Sequence, residues 1–294
     1  MNYLLHIVIL VNLYVVLSVS LNLLAGYTGL LSICQAGFYG LGAYATALLS
    51  IRLGWTWTST LTAGALLSGV AAFGIGRASL RFRDDYFVIA TFAFQVILYS
   101  IMLNWSSLTQ GAMGLPGVSQ PSFFGWHVSS QWGFLTLSGV LSVTSFLLVL
   151  LLVSSPYGRA LKALREDEVL ARAMAKDTET LKISAFVFGA ILAAGGGSFY
   201  AGYITFIDPS SFTVSESIFI LAIVIIGGAG NLWGSVVGAA VLVSLPEALR
   251  FVGLPPVVAA NMRQILYGAA LVACMMWRPQ GLIGEFSFRR DENS

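Results

Sequence analysis

Charge is scarce in this sequence. Aspartate, glutamate, lysine and arginine make up 10% of its 294 residues, against about 25% in a soluble domain. Apolar residues make up 57%, and mean hydropathy is +0.84. A surplus of that size has to face lipid. The only lysines, Lys162, Lys176 and Lys182, never follow a glycine, so the GK[ST] core of a nucleotide-binding P-loop is missing. HExxH, GxSxG and paired-carboxylate patterns are missing as well, which leaves no catalytic residue to name and points away from an enzyme. His6 and His127 stand alone, and Cys34 and Cys274 lie inside apolar runs, where cysteine is a small buried hydrophobe. No metal-ligand spacing and no disulfide framework follows from them. A net charge of +2, without a basic groove, excludes a nucleic-acid partner. The first 25 residues hold no lysine or arginine, so the basic start of a signal peptide is lacking. The stretch from Tyr3 to Ala25 therefore reads as a first membrane span.

What is present is a series of apolar runs. A spanning helix needs roughly 20 such residues. Runs at 3–25, 29–50, 59–80, 86–104, 134–154, 183–206, 216–229, 231–249 and 262–277 predict an all-α, polytopic membrane protein of about nine transmembrane helices, some broken by glycine. They form a single transmembrane domain over 1–294, with a charged loop at 155–182 inside it. Most of the basic residues fall in three segments: Arg77, Arg81 and Arg83; Arg159, Lys162, Arg165, Arg172, Lys176 and Lys182; and Arg278, Arg289 and Arg290. The bias of positive charge toward the cytoplasm puts all three segments inside. With nine spans the N-terminus is then outside and the C-terminus inside. Arg250 and Arg263 would flank an outer loop, a mild exception. The uncharged segment 105–133 is an outer loop whose glycines and prolines forbid a long helix, and Trp105, Trp126 and Trp132 suit interfacial anchoring or the docking of an outer partner.

The loop 155–182 is helix-prone and mixes both signs of charge, which argues against a simple lipid-binding patch. Leu161, Leu164, Ala171 and Met174 fall near one helical face, and Glu168 and Arg172 stand at the favourable i,i+4 spacing. Such a loop is either a surface helix or a lever gripped by a cytoplasmic partner. Gly26, Gly29, Gly37, Gly40 and Gly42 interrupt the second span, and Gly227, Gly228, Gly230, Gly234 and Gly238 the seventh and eighth. Broken apolar segments in the two halves of a chain point to a transport path. Gly230, Gly234 and Gly238 are also a GxxxG packing face, and Gly195, Gly196 and Gly197 read as packing or a kink. In the second span, polar Asn22, Thr28, Ser32 and Gln35 favour a path. Glu216 and Glu247 bound their spans and are expected near an interface, so no mid-span carboxylate signals proton coupling.

Read in order, several segments resemble the branched-chain amino acid ABC transporter permeases of the LivM type. They are LNLLAGYTGLLSICQAGFYGLGAY (21–44), TQGAMGLPGV (109–118), GRALKALREDEVLARAMAKD (158–177), FIDPSSF (206–212) followed by ESI (216–218), GGAGNLWGSVVGAA (227–240) and RPQGLIG (278–284). The resemblance covers nearly the whole chain. It departs at Cys34, where the family has glycine, and at Met174–Ala175, where it has Met-Gly.

The resemblance implies the permease subunit of a bacterial inner-membrane importer for branched-chain or other hydrophobic amino acids. It implies a homologous permease partner, two cytoplasmic ATPase subunits that hold ATP and Mg, and an extracytoplasmic binding protein, with no cofactor in this chain. Residues 159–176 would be the coupling helix, with Arg159, Lys162, Arg165, Glu166, Glu168 and Arg172 meeting the ATPase. Asn22, Ser32, Gln35, Gly37, Phe38 and Gly40 would line the path. Related permeases handle urea, amides and other small solutes. A stand-alone secondary transporter and a non-transporting scaffold are the other classes the residues allow.

Overall fold

A computed structural model describes residues 2–80, 84–123, 126–128 and 130–250, with 267–269, 271, 272, 274, 276 and 280–283 beyond them. Eight of the nine expected spans are helices: α1 (Asn2–Thr28), α2 (Gln35–Leu53), α3 (Trp57–Ser79), α4 (Asp84–Asn104), α6 (Gln131–Ser154), α9 (Thr178–Ile204), α10 (Val214–Gly227) and α11 (Leu232–Arg250). Short helices α5 (Ser106–Thr109), α7 (Pro156–Glu166) and α8 (Glu168–Ala173) lie between them. Among the described residues, α1, α3, α4, α6 and α9 are each long and apolar enough to cross a membrane, and α10 and α11 form a pair bent by 120°. The ninth run, 262–277, falls largely outside the described residues. So do Arg81, Arg83, Arg263, Arg278, Arg289 and Arg290 and the side chains of Trp126, Glu247 and Arg250.

The core sits where α1, α2, α3 and α9 converge. Small residues bring these helices together. A Cβ on Gly42 would lie 2.1 Å from the Ala194 carbonyl oxygen, and one on Gly197 would lie 1.9 Å from that of Tyr39. Backbones this close are the usual packing device in lipid, where van der Waals contact rather than the hydrophobic effect joins helices. Gly42 is therefore a packing position, and α2 is an unbroken helix. The interruption expected there falls earlier, in the non-helical residues 29–34. The second interruption is where the sequence puts it: Gly228 adopts φ 120, open to glycine alone, and separates α10 from α11.

One end of the bundle carries α7 and α8 and the C-terminal end of α1. The other carries the segment 105–130, whose described residues hold no long helix. There β1 (Leu115–Pro116) pairs antiparallel with β4 (Phe206–Ile207), joining the TQGAMGLPGV and FIDPSSF segments. A second small ribbon joins β2 (Ser122–Phe123) to β3 (Trp126–His127). Trp105 and Trp132 are exposed at this end, as interfacial anchors are.

Candidate functional site

Two helices begin inside the bundle rather than at its surface. Helix α10 has 14 residues, about 21 Å at 1.5 Å per residue, too short for a hydrocarbon core about 30 Å thick. Its first turn meets the middle of α1, where the Tyr14 hydroxyl donates to Glu216 Oε1 at 2.5 Å. Tyr14 is roughly 20 Å from either end of α1, given its span Asn2–Thr28. The far end of α10 reaches the charged end of the bundle. Asn22 closes the break there: its amide donates to the Asn231 carbonyl (2.9 Å) and Ser235 Oγ (2.7 Å) and accepts from the Gly230 N–H (2.9 Å). The Leu282 and Ile283 N–H groups bond the Ile226 and Gly227 carbonyls at the same place, at 2.8 and 3.1 Å.

Helix α2 also starts at depth. Gln35 Nε2 donates to Ser20 Oγ of α1 at 2.5 Å, and the Ala36 N–H donates to Ser217 Oγ of α10 at 2.9 Å. Gln95, from the middle of α4, donates to the Phe212 carbonyl at 2.8 Å and accepts from Ser217 Oγ at 3.4 Å. The start of α2, the start of α10 and the middles of α1 and α4 thus share one buried polar junction. In lipid such groups have to find partners within the protein, and here they do.

The six residues expected to line a path are all buried. Gln35 and Gly37 stand at the junction, a Cβ on Gly37 falling 2.8 Å from Gln95 Oε1. Gly40 abuts Met102 and Phe212. Asn22 holds the α10–α11 break, and Ser32 Oγ pairs with Cys34 Sγ at 3.3 Å in the link before α2. Phe38 points elsewhere, into rings of Phe94 and Phe186 with centroids 5.7 and 5.3 Å away.

The charged loop is two helices, not the single one expected over 159–176. Asp167 adopts an extended conformation and its side chain accepts from the Val169 and Leu170 N–H groups, at 2.8 and 3.0 Å, capping α8. Aspartate's preference for that position outweighs the helix-forming run around it. Leu161, Leu164 and Ala171 face inward as their spacing predicts, whereas Met174 is 66% exposed because α8 ends before it.

The six coupling candidates divide by direction. Arg159, Lys162, Glu166 and Arg172 are exposed; Arg165 and Glu168 are half-buried. Arg165 Nη1 donates to the Gly26 carbonyl in the last turn of α1, where unpaired carbonyls and the helix dipole favour a cation. Beside it the Lys162 ammonium lies 5.7 Å above the Tyr27 ring. Glu168 bonds Arg172 at 2.8 Å, the pair its spacing predicts, and Lys182 at 2.9 Å. Partial burial pushes the Glu168 carboxyl up, but the hydrogen bond and charge of Lys182, with the charge of Arg172, hold it below the usual carboxylate range.

A family model described as the permease component of branched-chain amino acid transport systems matches residues 3–275. The chain is 33% identical over 293 residues to the high-affinity branched-chain amino acid transport system permease protein LivM of Salmonella typhimurium, covering 92% of this chain and 67% of that one. It is 33% identical over 297 residues to LivM of Escherichia coli, covering 93% and 68%, and 26% identical over 292 residues to E. coli LivH, covering 92% and 91%. No solved structure matches. The chain belongs to the branched-chain amino acid transport permease family.

Two features of this permease escaped the sequence. Glu216, expected near an interface, lies at the mid-depth of α1, because α10 starts there. Ala175 adopts φ 57 at the end of α8, within a closing motif in which the Lys176 N–H bonds the Ala171 carbonyl (3.2 Å) and the Ala175 N–H that of Arg172 (3.0 Å). A left-handed alanine costs about 1 kcal/mol that glycine avoids. Ala175→Gly, which restores the Met-Gly pair of the resemblance, is expected to raise the unfolding midpoint of the detergent-purified permease, and an unchanged or lower midpoint would contradict the strain.

Proposed function

We propose that this permease is the membrane-spanning subunit of an ATP-driven importer for branched-chain or other hydrophobic amino acids, in a bacterial inner membrane. The family match across 3–275 carries this reading. The subunit pairs with a homologous permease, two cytoplasmic ATPases and an extracytoplasmic binding protein, within membrane lipid. ATP and Mg reside on the ATPases, and no chemistry is performed by this chain. The cytoplasmic face is the end with α7 and α8. Exposed Arg159, Lys162, Glu166 and Arg172, together with the exposed apolar Val169, Leu170 and Met174, give an ATPase something to grip. Arg165 and Glu168 face the other way and tie that grip to α1 and α9.

The path runs beside the junction where α2 and α10 begin, with Asn22, Ser32, Gln35, Gly37 and Gly40 setting the shape of its wall and Phe38 packed behind it against Phe94 and Phe186. ATP binding shifts the population of the two access states by favouring one arrangement of α7 and α8.

Co-expression with the partner subunits tests the assembly: a tagged permease is expected to bring down an ATPase, and its recovery alone would overturn the reading. The orientation has its own test. A cysteine at Ser119 is expected to react with an impermeant maleimide from outside and one at Ala173 only after the cells are opened; the reverse would invert the topology.

A further inference from the structure

Glu216 is a carboxylate at the mid-depth of a membrane protein, and the junction does not account for it. The hydroxyl of Tyr14 holds one oxygen, Oε1. Among the described residues, no lysine, arginine or histidine nitrogen stands within 4.0 Å of either oxygen. A carboxylate in this position is costly and marks a solute or ion path by default. Glu216 is half-buried.

Its surroundings are aromatic. Phe219, one turn along α10, meets Tyr14 edge-on at 5.2 Å and Tyr267 at 4.4 Å between centroids. Tyr39 and Tyr200 pair at 5.4 Å between centroids. Phe219 also lines a mostly apolar recess of about 180 Å³, with Ser215, Ile218, Ala222, Tyr267 and Leu271. A carboxylate with aromatic residues about it can receive an ammonium group. The recess past Phe219, on the same helix, suits an uncharged, branched side chain.

We propose that Glu216, positioned by Tyr14, receives the ammonium group of the amino acid as it crosses the membrane, and that the recess along α10 takes its apolar side chain. This rests on the import reading above and adds the residue that recognises the cargo within the membrane. A purely structural carboxylate would need only to accept the Tyr14 hydrogen bond, which an amide oxygen does equally well. Recognition of a cation needs the charge.

The test is ATP-dependent uptake of labelled leucine by the assembled complex in vesicles, with ATP hydrolysis measured alongside. E216Q is expected to lose uptake by about 20-fold, as removal of one charge-assisted contact predicts, while ATP hydrolysis stays within about twofold. E216D, which keeps the charge on a shorter arm, is expected to transport better than E216Q. E216Q equal to or better than E216D would overturn the proposal. Should E216Q fail to reach the membrane, Ile218→Trp decides: it narrows the recess and leaves the carboxylate in place, so uptake is expected to fall about tenfold, and unchanged uptake would overturn the proposal. A parent complex that does not import leucine on ATP would instead defeat the import reading itself.

Discussion

Replacing Gly197 by alanine is expected to cost the permease about 3 kcal/mol, the upper range for forcing atoms into a packed interior. The same change at Gly195, two positions away, is expected to be tolerated. A Cβ at 197 would lie 1.9 Å from the Tyr39 carbonyl oxygen and 2.8 Å from the Ala43 nitrogen, so α2 and α9 would have to separate. Both obstacles are backbone, and neither can rotate away. A Cβ at 195 meets nothing within 4 Å, and alanine gains about 1 kcal/mol over glycine in a helix. Thermal unfolding in detergent distinguishes the two. Equal midpoints for both variants would mean that α2 and α9 do not approach as described.

Arg165→Glu is expected to break transport without breaking the engine. The guanidinium of Arg165 is the hydrogen-bonded tie between α7 and the end of α1, four residues beyond the asparagine that holds the α10–α11 break. A carboxylate there would face the Gly26 carbonyl and the negative end of the α1 dipole. ATP hydrolysis by the complex is expected to continue, and uptake to fall at least about tenfold, the loss that follows from one broken buried contact to a charged group. Lys162 and Glu166, which flank it but face outward, serve a different purpose: their reversal is expected to weaken ATPase binding. Normal uptake in Arg165→Glu would remove the tie from the coupling route.

Local composition reveals a good deal of this architecture. Hydropathy places α1, α3, α4, α6 and α9 within a few residues of their ends, because each is one uninterrupted apolar run. Glycine spacing marks 195–197 as packing or a kink, and packing holds at 196 and 197; it marks 228–230 as a break, and i,i+4 spacing pairs Glu168 with Arg172. Depth is what a linear pattern does not carry. The run 216–229 reads as a short span whether it starts at a surface or halfway down, so Glu216 looks interfacial until α10 is seen against Tyr14. The polar residues of the second span read as a path lining, yet Gln35 and Asn22 each find buried partners on other helices, Asn22 with residues more than 200 positions away. Partnerships of that range have no signature in one sequence. Asp167 carries a local signal, an aspartate followed by an acid at the start of a helix, set among strong helix formers on both sides.

We propose that transport by this permease is driven entirely by its partner subunits. Uptake of leucine into vesicles holding the permease, its homologous partner and the ATPases, with the binding protein supplied, tests it most directly. Uptake that requires ATP and Mg, stops when the ATPases are omitted and ignores proton and sodium gradients is the predicted result. Uptake by the permease alone, driven by an ion gradient, would contradict it.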